Sequence, residues 1–390
     1  MPGKYLPYGH QSINEDDIRA VLEVLEGEWL TTGPAVEGFE AAVAEYTGAS
    51  YAVSFSSGTA ALHGAMHAAG VSPGDAVVTT PLTFAATSNA AIYCGGRPLF
   101  ADVSESLCLD PEQSEHVCRN AGAPVKAIVP VSYAGYPVDI KAFKGLASRV
   151  GAVLIEDAAH ALGASRGGAR VGKEADMTVF SFHPVKHITT AEGGMVVTDS
   201  KRFADRMRLF RSHGITKSPG EFARPYEGPW DNDMISIGYN YRLSDVASAL
   251  GQSQIKRLGG FVARRRGIAA LYRDALSGGC AENIKLPPDH PGHAYHLFPV
   301  WVQPAIRRAV FESLRGNGIG VQVHYVPVHL HTYYREKFGF APGDFPKAEA
   351  FSAGEISLPV YTDMDDDDVL FAARTLEDAV ARLQAEQSEL

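Results

Sequence analysis

From residue 51 to residue 198 the sequence alternates short apolar runs with longer segments of helical character. Strands of a parallel sheet are buried on both faces, so they are short and continuously apolar, and helices connect them. This pattern predicts an α/β fold with a mostly parallel central sheet flanked by helices. The predicted strands cover residues 51–55, 76–79, 98–101, 127–131, 152–156, 177–181 and 194–198.

Helical patterns also lie on either side of this alternation. Asn14 precedes an acidic turn and an apolar stripe, which predicts a capped helix that begins at residue 15. A second N-terminal helix is predicted over residues 36–46. After the sheet, residues 242–258 predict a long helix.

The pattern changes again near Pro287, which indicates a second, smaller unit. A strand is predicted over residues 296–302, a helix over 305–316, a strand over 320–325 and a terminal amphipathic helix over 365–387. A chain of 390 residues is also too long for one ordinary core. We therefore predict a large α/β domain over residues 1–254 and a smaller α+β domain over residues 255–390.

The composition argues against two classes of partner. The formal net charge is −10, whereas a chain that binds nucleic acid normally carries a basic face. We expect no nucleic-acid partner, although a local cationic pocket on an acidic protein can still bind an anion. No apolar run approaches the roughly 18 to 20 residues of a membrane span, so we expect no membrane insertion.

The cysteines and the N-terminus indicate the compartment. Cys94, Cys108, Cys118 and Cys280 are scattered, without CxxC spacing, which favours a reduced protein. The first residues lack the basic stretch and apolar core of a signal peptide. Together these features predict a cytoplasmic protein.

Lys186 lies in the most informative local sequence of the chain. The apolar run 179–182 leads into a polar turn that begins at His183, the lysine follows, and two glycines close the segment at 193–194. A lysine in a loop can simply be solvated, as most lysines are. Its position after a strand and before the paired glycines favours a lysine with a chemical role.

Asp157 ends an apolar run upstream of this lysine. A buried carboxylate is costly unless it is paired. One chemistry uses both residues: the lysine is held as an imine to a pyridoxal ring, and the aspartate faces the nitrogen of that ring. The alternative is that Asp157 caps a helix that begins at Ala158.

Small residues follow the first predicted strand and open a helix. Ser57, Gly58 and Thr59 leave room for the backbone to approach an oxyanion, which the N–H groups of a helix N-terminus can bind. The phosphate of pyridoxal phosphate is the natural occupant of such a turn. The alternative is an ordinary connection between a strand and a helix.

An aromatic residue, Phe84, follows the second predicted strand. A flat cofactor ring needs an apolar face, and an aromatic side chain supplies one at little entropic cost. The alternative is a phenylalanine of the hydrophobic core.

The lysine segment, continued by residues 188–194, and the segment around Asp157 resemble those of the DegT-type sugar aminotransferases. These enzymes are a branch of the fold-type I pyridoxal-phosphate enzymes. Within the branch, the lysine segment is most similar to enzymes of the pseudaminic acid pathway that aminate a UDP-linked 4-keto-sugar. The resemblance runs from about Tyr8 to about Val369, and it implies the fold-type I architecture and the cofactor pyridoxal 5′-phosphate.

The resemblance also implies roles for single residues at the cofactor. Asn240 reaches the phosphate across a dimer interface, so the expected assembly is a homodimer with shared active sites. The catalytic residues are Lys186 and Asp157. The implied cofactor contacts are Gly58 and Thr59 at the phosphate, Ser181 through its hydroxyl, Phe84 on the ring face, His160 near the 3-oxygen, and Asp157, Lys186 and Asn240.

A second implied group contacts the substrate. Arg242 can engage an anionic group, and the C-terminal histidine and tyrosine lie at the mouth of the site, near the nucleotide sugar. The implied substrate residues are Thr31, His183, Arg242, His324 and Tyr325, and no metal is expected.

The implied reaction moves an amino group from L-glutamate to the C4 keto group of a UDP-linked 6-deoxy-4-keto-hexose. Another nucleotide-4-keto-sugar aminotransferase, such as one of a 4-amino-arabinose pathway, is an open alternative. A sugar 3-dehydratase is disfavoured because that branch has a histidine in place of Lys186. A regulator that binds the cofactor without catalysis is disfavoured by the complete pair of Lys186 and Asp157 and by the lack of a DNA-binding element.

Overall fold

A computed structural model describes residues 5–278 and 283–388 of the chain. Its centre is a seven-stranded sheet. Each predicted strand lies within one or two residues of an observed one. The strands are β1 (Tyr51–Phe55), β2 (Ala76–Thr79), β3 (Arg97–Phe100), β4 (Val125–Val129), β5 (Val153–Asp157), β6 (Met177–Ser181) and β7 (Gly194–Thr198).

The order of strands in this sheet is β1-β7-β6-β5-β4-β2-β3. β7 is antiparallel to both of its neighbours, and the other four adjacent pairs are parallel. The predicted α/β fold with a mostly parallel sheet is therefore confirmed. Asp157 of β5 pairs with Val179 of β6, so the segments that follow these two parallel strands lie at the same edge of the sheet.

Helices cover both faces of the sheet and bury its apolar side chains. α3, α4 and α7 pack on one face, and α5 and α6 pack on the other. The predicted cap of the first helix is confirmed, because Asp17 N donates to Oδ1 of Asn14 at 3.1 Å. The helices are α1 (Glu15–Leu25), α2 (Pro34–Thr47), α3 (Gly58–Ala69), α4 (Ala86–Tyr93), α5 (Pro111–Arg119), α6 (Ile140–Val150), α7 (Lys201–Phe210) and α8 (Asp245–Ile255).

The C-terminal part of the chain forms a second core. Tyr272, Phe298 and Leu376 are among its fully buried side chains. β8 and β9 pair antiparallel within it. The elements of this part are α9 (Leu258–Ala275), β8 (Phe298–Trp301), α10 (Pro304–Gly316), α11 (Thr332–Phe338), α12 (Pro346–Gly354), β9 (Glu355–Leu358) and α13 (Asp366–Ser388).

α9 takes part in both cores. Leu258 and Val262, near its N-terminus, pack against residues of the sheet layer, whereas Ile268 and Tyr272 pack in the second core. One helix thus ties the two parts of the molecule together. The division into residues 1–254 and 255–390 stays a prediction.

The strand predicted over residues 320–325 is wrong. Only Gln322 pairs there, in an isolated bridge with Ser357. The backbone of His324 instead bonds to side chains: its N–H donates to Glu355 at 2.7 Å, and its carbonyl accepts from the hydroxyl of Tyr133. Because these partners replace a strand ladder, the chain turns away from β9 at this point.

The helix predicted over residues 242–258 is also corrected. It is α8, which begins at Asp245, because the side chain of Ser244 caps it by accepting from Ala247 N at 3.2 Å. It ends at Ile255, and Leu258 starts α9 instead.

Two further observations concern membrane spans and cysteines. Within residues 5–278 and 283–388 no helix is both long enough and apolar enough to cross a bilayer. Cys94, Cys108 and Cys118 are free thiols, and Cys280 lies outside the described residues.

Candidate active site

A cavity of about 470 Å³ opens at the edge of the sheet where β5 and β6 end. Its walls come from both cores, because residues of the C-terminal part close the side opposite the sheet. Most of the residues predicted for the site meet there. Those that line the cavity are Gly58, Thr59, Phe84, Asp157, His160, Ser181, His183, Lys186, His324 and Tyr325.

Lys186 follows β6 in a tight turn, in which its N–H donates to the carbonyl of His183 at 2.9 Å. The cavity leaves part of the side chain accessible, but the amine has lost most of its hydration. This desolvation lowers the pKa of Lys186 to about 7, Asp157 opposes the shift, and the cation of Arg265 adds to it. The amine is thus neutral in a large fraction of molecules near neutral pH.

His296 is the hydrogen-bond partner of this amine. Its Nε2 lies 3.2 Å from Nζ of Lys186. Burial, with Lys186 as a further cause, holds the pKa of His296 well below its ordinary value, so the imidazole is neutral. A neutral imidazole has one donor and one acceptor nitrogen, so Nε2 accepts from Nζ in one tautomer and donates to the neutral amine in the other.

Arg265 fastens the Lys186 turn to the second core. It is buried, and its guanidinium donates to the carbonyls of Tyr295, His296 and Val360, and more distantly at 3.5 Å to that of Val185. Burial lowers the pKa of Arg265 to about 10, so it stays charged. Its cation is therefore a fixed source of positive potential beside Lys186.

Asp157, the last residue of β5, is buried and hydrogen-bonded at both oxygens. Thr87 donates to Oδ2 at 2.7 Å, and Ala159 N donates to Oδ1 at 3.1 Å. Burial raises the pKa of Asp157, whereas these two donors and Lys186 lower it. The helix-cap alternative is wrong, because residues 158–164 form turns and no helix begins there.

The turn from Ser57 to Thr59 has the form of an oxyanion cradle. Ser57 caps α3 by accepting from Ala60 N at 3.1 Å. A Cβ on Gly58 would lie 2.9 Å from Cβ of Ser181, so only glycine lets the start of α3 meet the end of β6. The first N–H groups of a helix lack partners within it and are free to bind an anion.

His160 and Tyr325 form a pair on another wall. Ala134 N donates to Nδ1 of His160 at 3.3 Å, so the ring proton is on Nε2, which lies 3.1 Å from the Tyr325 hydroxyl. Both nitrogens of His160 are therefore engaged by the protein. The proton of the Tyr325 hydroxyl remains available to a ligand.

Phe84 stands on the cavity wall, with its ring centroid 6.1 Å from that of Tyr325. Its side chain is 60% exposed. The alternative of a core phenylalanine is thereby wrong, and the ring is placed to cover a ligand in the cavity.

Three predicted residues do not line this cavity. Thr31 and Asn240 are exposed, and Arg242 is half-buried. The segment that carries the last two is nevertheless tied to the phosphate turn, because Ser56 N donates to the carbonyl of Tyr241 at 2.7 Å.

Sequence reasoning missed two residues that contact the catalytic pair. Thr87 lies three residues after Phe84, and this closeness in sequence is a signal that could have identified it. His296 is 110 positions from Lys186, and nothing in its local sequence indicates the contact. Tyr8 and Glu192 also line the cavity.

The histidines near the cavity do not form a metal site. Among the described ranges, no group of three or more His, Cys, Asp or Glu side chains is arranged to hold an ion. The neutral state of His160 and His296, which burial causes, accords with hydrogen-bonding roles.

Known proteins resemble this chain over nearly its whole length. The model of the DegT/DnrJ/EryC1/StrS aminotransferase family matches residues 11–376. The UDP-4-amino-4,6-dideoxy-N-acetyl-beta-L-altrosamine transaminase of Campylobacter jejuni is 40% identical over 375 residues, which are 95% of this chain and 96% of that protein.

Solved structures show the same likeness. Helicobacter pylori PseC, an aminotransferase involved in the biosynthesis of pseudoaminic acid, matches with a TM-score of 0.89 and 32% identity, covering 97% of this chain and 100% of that one. The PLP form of Spr1654, a putative sugar aminotransferase of Streptococcus pneumoniae, matches with a TM-score of 0.88 and 27% identity, covering 97% and 99% of the two chains.

Proposed function

The chain belongs to the DegT/DnrJ/EryC1/StrS aminotransferase family of PLP-dependent sugar aminotransferases, and from this premise we propose its reaction. It transfers an amino group from L-glutamate to the C4 keto group of a UDP-linked 6-deoxy-4-keto-hexose, with pyridoxal 5′-phosphate as cofactor. The observation that supports this chemistry is that a lysine amine of lowered pKa and a buried aspartate line the same cavity.

The phosphate end of the cofactor fits the turn at the start of α3. Gly58 and Thr59 would contribute backbone N–H groups, and Ser181 would contribute its hydroxyl. The absence of a side chain on Gly58 supports this assignment, because a Cβ there would occupy the space beside Ser181.

The ring end of the cofactor fits the part of the cavity that Asp157, Phe84 and Lys186 line. Asp157 would face the ring nitrogen, Phe84 would cover the ring, and Lys186 would hold the cofactor covalently through Nζ. When bound, the cofactor supplies an electron sink for the carbon that carries the amino group.

The side chains around this ring bind or move protons at different atoms. Thr87 and the N–H of Ala159 stabilise Asp157 as a carboxylate, the form that can hold a proton on the ring nitrogen. Lys186, as a neutral amine, can take a proton from a substrate carbon at Nζ and return it to another position. Nε2 of His296 lies 3.2 Å from Nζ, and this hydrogen bond fixes the direction of the amine.

The substrate class rests on the relatives. The Campylobacter jejuni protein is named for a UDP-linked 4-amino-4,6-dideoxy sugar, and PseC for pseudoaminic acid biosynthesis. We assign the corresponding 4-keto-sugar to this chain, with His183, His324 and Tyr325 on the cavity wall as its nearest contacts.

A homodimer with shared sites completes the proposal. Asn240 is exposed, lies outside the cavity of its own chain, and sits in a segment bonded to the phosphate turn. This position supports a role for Asn240, and with it Arg242 and Thr31, at the site of a second subunit.

The experiment that tests the function is a substrate panel. The purified protein, loaded with pyridoxal phosphate, is incubated with L-glutamate and a set of UDP-linked 4-keto-sugars, and the products are identified by mass spectrometry. We expect a 4-amino product from the 6-deoxy N-acetyl hexose and none with Lys186→Ala.

The outcomes of the panel separate the alternatives. Amination of only another 4-keto-sugar, such as a 4-keto-pentose, would keep the reaction and replace the substrate. No amination of any sugar by a protein that holds the cofactor would overturn the proposal in favour of a regulator.

A further inference from the structure

A chain of hydrogen bonds leads from the cavity into the second core. Nδ1 of His324 lies 2.9 Å from Oγ of Ser357, and Ser357 donates to Oε1 of Glu355 at 2.5 Å. The other carboxyl oxygen of Glu355 accepts from the N–H of His324 at 2.7 Å. We call His324, Ser357 and Glu355 the relay.

The inner end of the relay is costly to bury. Glu355 and Ser357 are fully buried, and burial raises the pKa of Glu355 to about 8 although Ser357 and the His324 N–H act against the shift. An apolar residue would avoid the cost of desolvating a carboxyl at this place. Packing alone therefore does not explain why a carboxyl and a hydroxyl are buried at this place.

The outer end of the relay faces the site. The His324 ring lines the cavity, with its centroid 5.4 Å from that of Tyr8. Its Nδ1 is engaged with Ser357, and Nε2 has no hydrogen-bond partner within residues 5–278 and 283–388. Nε2 is thus the polar atom that this ring can offer to a ligand.

The relay allows the ring one tautomer at a time. With Glu355 ionised, Ser357 donates to it, so Nδ1–H donates to Ser357 and Nε2 is an acceptor. With Glu355 protonated on Oε1, Ser357 can accept from it and donate to Nδ1, and Nε2 then carries the proton. The hydroxyl has a single proton, so Ser357 donates either to Glu355 or to Nδ1 and never to both.

The charge state of the His324 ring limits which chemical group of a ligand Nε2 can bind. Burial, with Lys186 as a further cause, lowers the pKa of His324 to about 3, so the ring is neutral. A neutral imidazole is a poor partner for a diphosphate, which prefers cationic donors. A hydroxyl group can donate or accept, and so it can match either tautomer.

We propose that Ser357 and Glu355 are positioning residues that hold His324 so that its Nε2 hydrogen-bonds a hydroxyl group of the hexose, not the diphosphate. The inference rests on the proposed function, because it assumes a sugar substrate in this cavity. A carboxylate of glutamate could also accept from Nε2–H, and the comparison of the two half-reactions below separates that partner from the sugar.

The competing explanation is that the relay only anchors the 320–325 segment. That segment has another anchor, since the Tyr133 hydroxyl donates to the carbonyl of His324 and would do so without the relay. Loss of the Ser357 hydroxyl also leaves the Glu355 bond to the His324 N–H in place. Ser357→Ala therefore removes the connection to the ring and little else.

The test measures the two half-reactions separately on the cofactor-loaded protein. The glutamate half-reaction is followed by loss of the yellow band, and the sugar half-reaction by its return when UDP-linked 6-deoxy-4-keto-N-acetyl-hexose is added. In Ser357→Ala we expect the sugar step to slow by about tenfold or more, as for a lost hydrogen bond to substrate, and the glutamate step to stay within about twofold. Glu355→Gln, whose amide can accept from or donate to Ser357 as the protonated acid can, should keep both steps within about twofold of the wild type.

Two controls accompany these variants. Ser114→Ala removes a buried hydroxyl in α5 that donates only to the carbonyl of Asp110 at 2.7 Å, and it should change neither step. At a pH well above the pKa of Glu355, about 8, NMR of labelled histidine ring nitrogens, with His324→Gln for assignment, should show the Nδ1–H tautomer of His324 in the wild type and a mixture in Ser357→Ala.

Other outcomes would overturn the proposal. Equal slowing of both steps, or an unchanged sugar step, in Ser357→Ala would overturn the role of the relay. A wild-type protein that carries out neither half-reaction would overturn the proposed function, and the relay with it.

Discussion

Nε2 of His296 lies within hydrogen-bond distance of Nζ of Lys186, at 3.2 Å, across 110 positions of sequence. The lysine belongs to a turn at the edge of the large sheet, whereas the histidine lies two residues before β8 of the second core. The direction of the catalytic amine is therefore set by a residue from the other part of the molecule. The following predictions examine this amine and its surroundings.

Lys186 should be the attachment point of the cofactor. We expect the purified wild type with pyridoxal phosphate to be yellow, and Lys186→Ala to lose both the band and the activity, because Lys186 is the one lysine on the cavity wall among the residues that the structure describes. Absorption spectra before and after dialysis measure this. Lys141→Ala, which removes an exposed lysine of α6, serves as the control, and a wild type that stays colourless would contradict the assignment.

Attachment should depend on pH with a midpoint near the pKa of Lys186, about 7. The pKa is lowered, so the neutral amine accumulates as pH rises through 7 and is lost as pH falls below it. Stopped-flow measurement of band formation should show the rate increasing with pH and levelling above the midpoint. Arg265→Met removes a cation that lowers this pKa, so its midpoint should move to higher pH; a shift to lower pH would refute the electrostatic account.

Asp157→Asn should keep the cofactor but lose nearly all turnover. An amide cannot hold the proton on the ring nitrogen, so the electron sink is weakened. Spectra report cofactor binding and a coupled glutamate assay reports turnover. Activity close to that of the wild type would show that Asp157 is only a structural residue.

Thr87→Val should reduce turnover by about tenfold, in keeping with one lost hydrogen bond to a charged group. The hydroxyl donates to Oδ2 of Asp157 at 2.7 Å, and without it the carboxylate form is less stable. Thr87→Ser keeps the hydroxyl and should remain near wild type. Equal losses in both variants, compared by kcat, would assign the effect to packing.

The shared site predicts that two inactive variants rescue each other. If Asn240 serves the partner's site, a mixed dimer of Lys186→Ala and Asn240→Ala has one intact site and one with both lesions. Random re-association should then restore about a quarter of wild-type activity, since half of the dimers are mixed and each has one working site. If both residues served the same site, activity after mixing would stay flat.

The sequence predicts those parts of the molecule that local patterns encode. The strands of the sheet and the residues at their ends, such as Asp157 and Ser181, follow from apolar runs that are too short for helices. The strand predicted at 320–325 is wrong because side chains of Tyr133 and Glu355 satisfy the backbone there, and such long-range bonds have no local signature.

The same distinction applies within the site. Lys186 and Gly58 stand in recognisable segments, whereas His296 and Glu355 become functional candidates only through contacts made by the fold. Thr87 lies between these cases, since it is close in sequence to Phe84 but its importance depends on the position of Asp157.

The guanidinium of Arg265, which holds the Lys186 turn to the second core, also affects when the lysine becomes reactive during synthesis of the chain. A chain synthesised only as far as α8 contains the whole lysine segment but neither Arg265 nor His296. Without their burial and positive charge an amine keeps its ordinary, higher pKa and stays protonated. The neutral, nucleophilic form of the amine is thus scarce in the nascent chain and becomes abundant once synthesis and packing are finished.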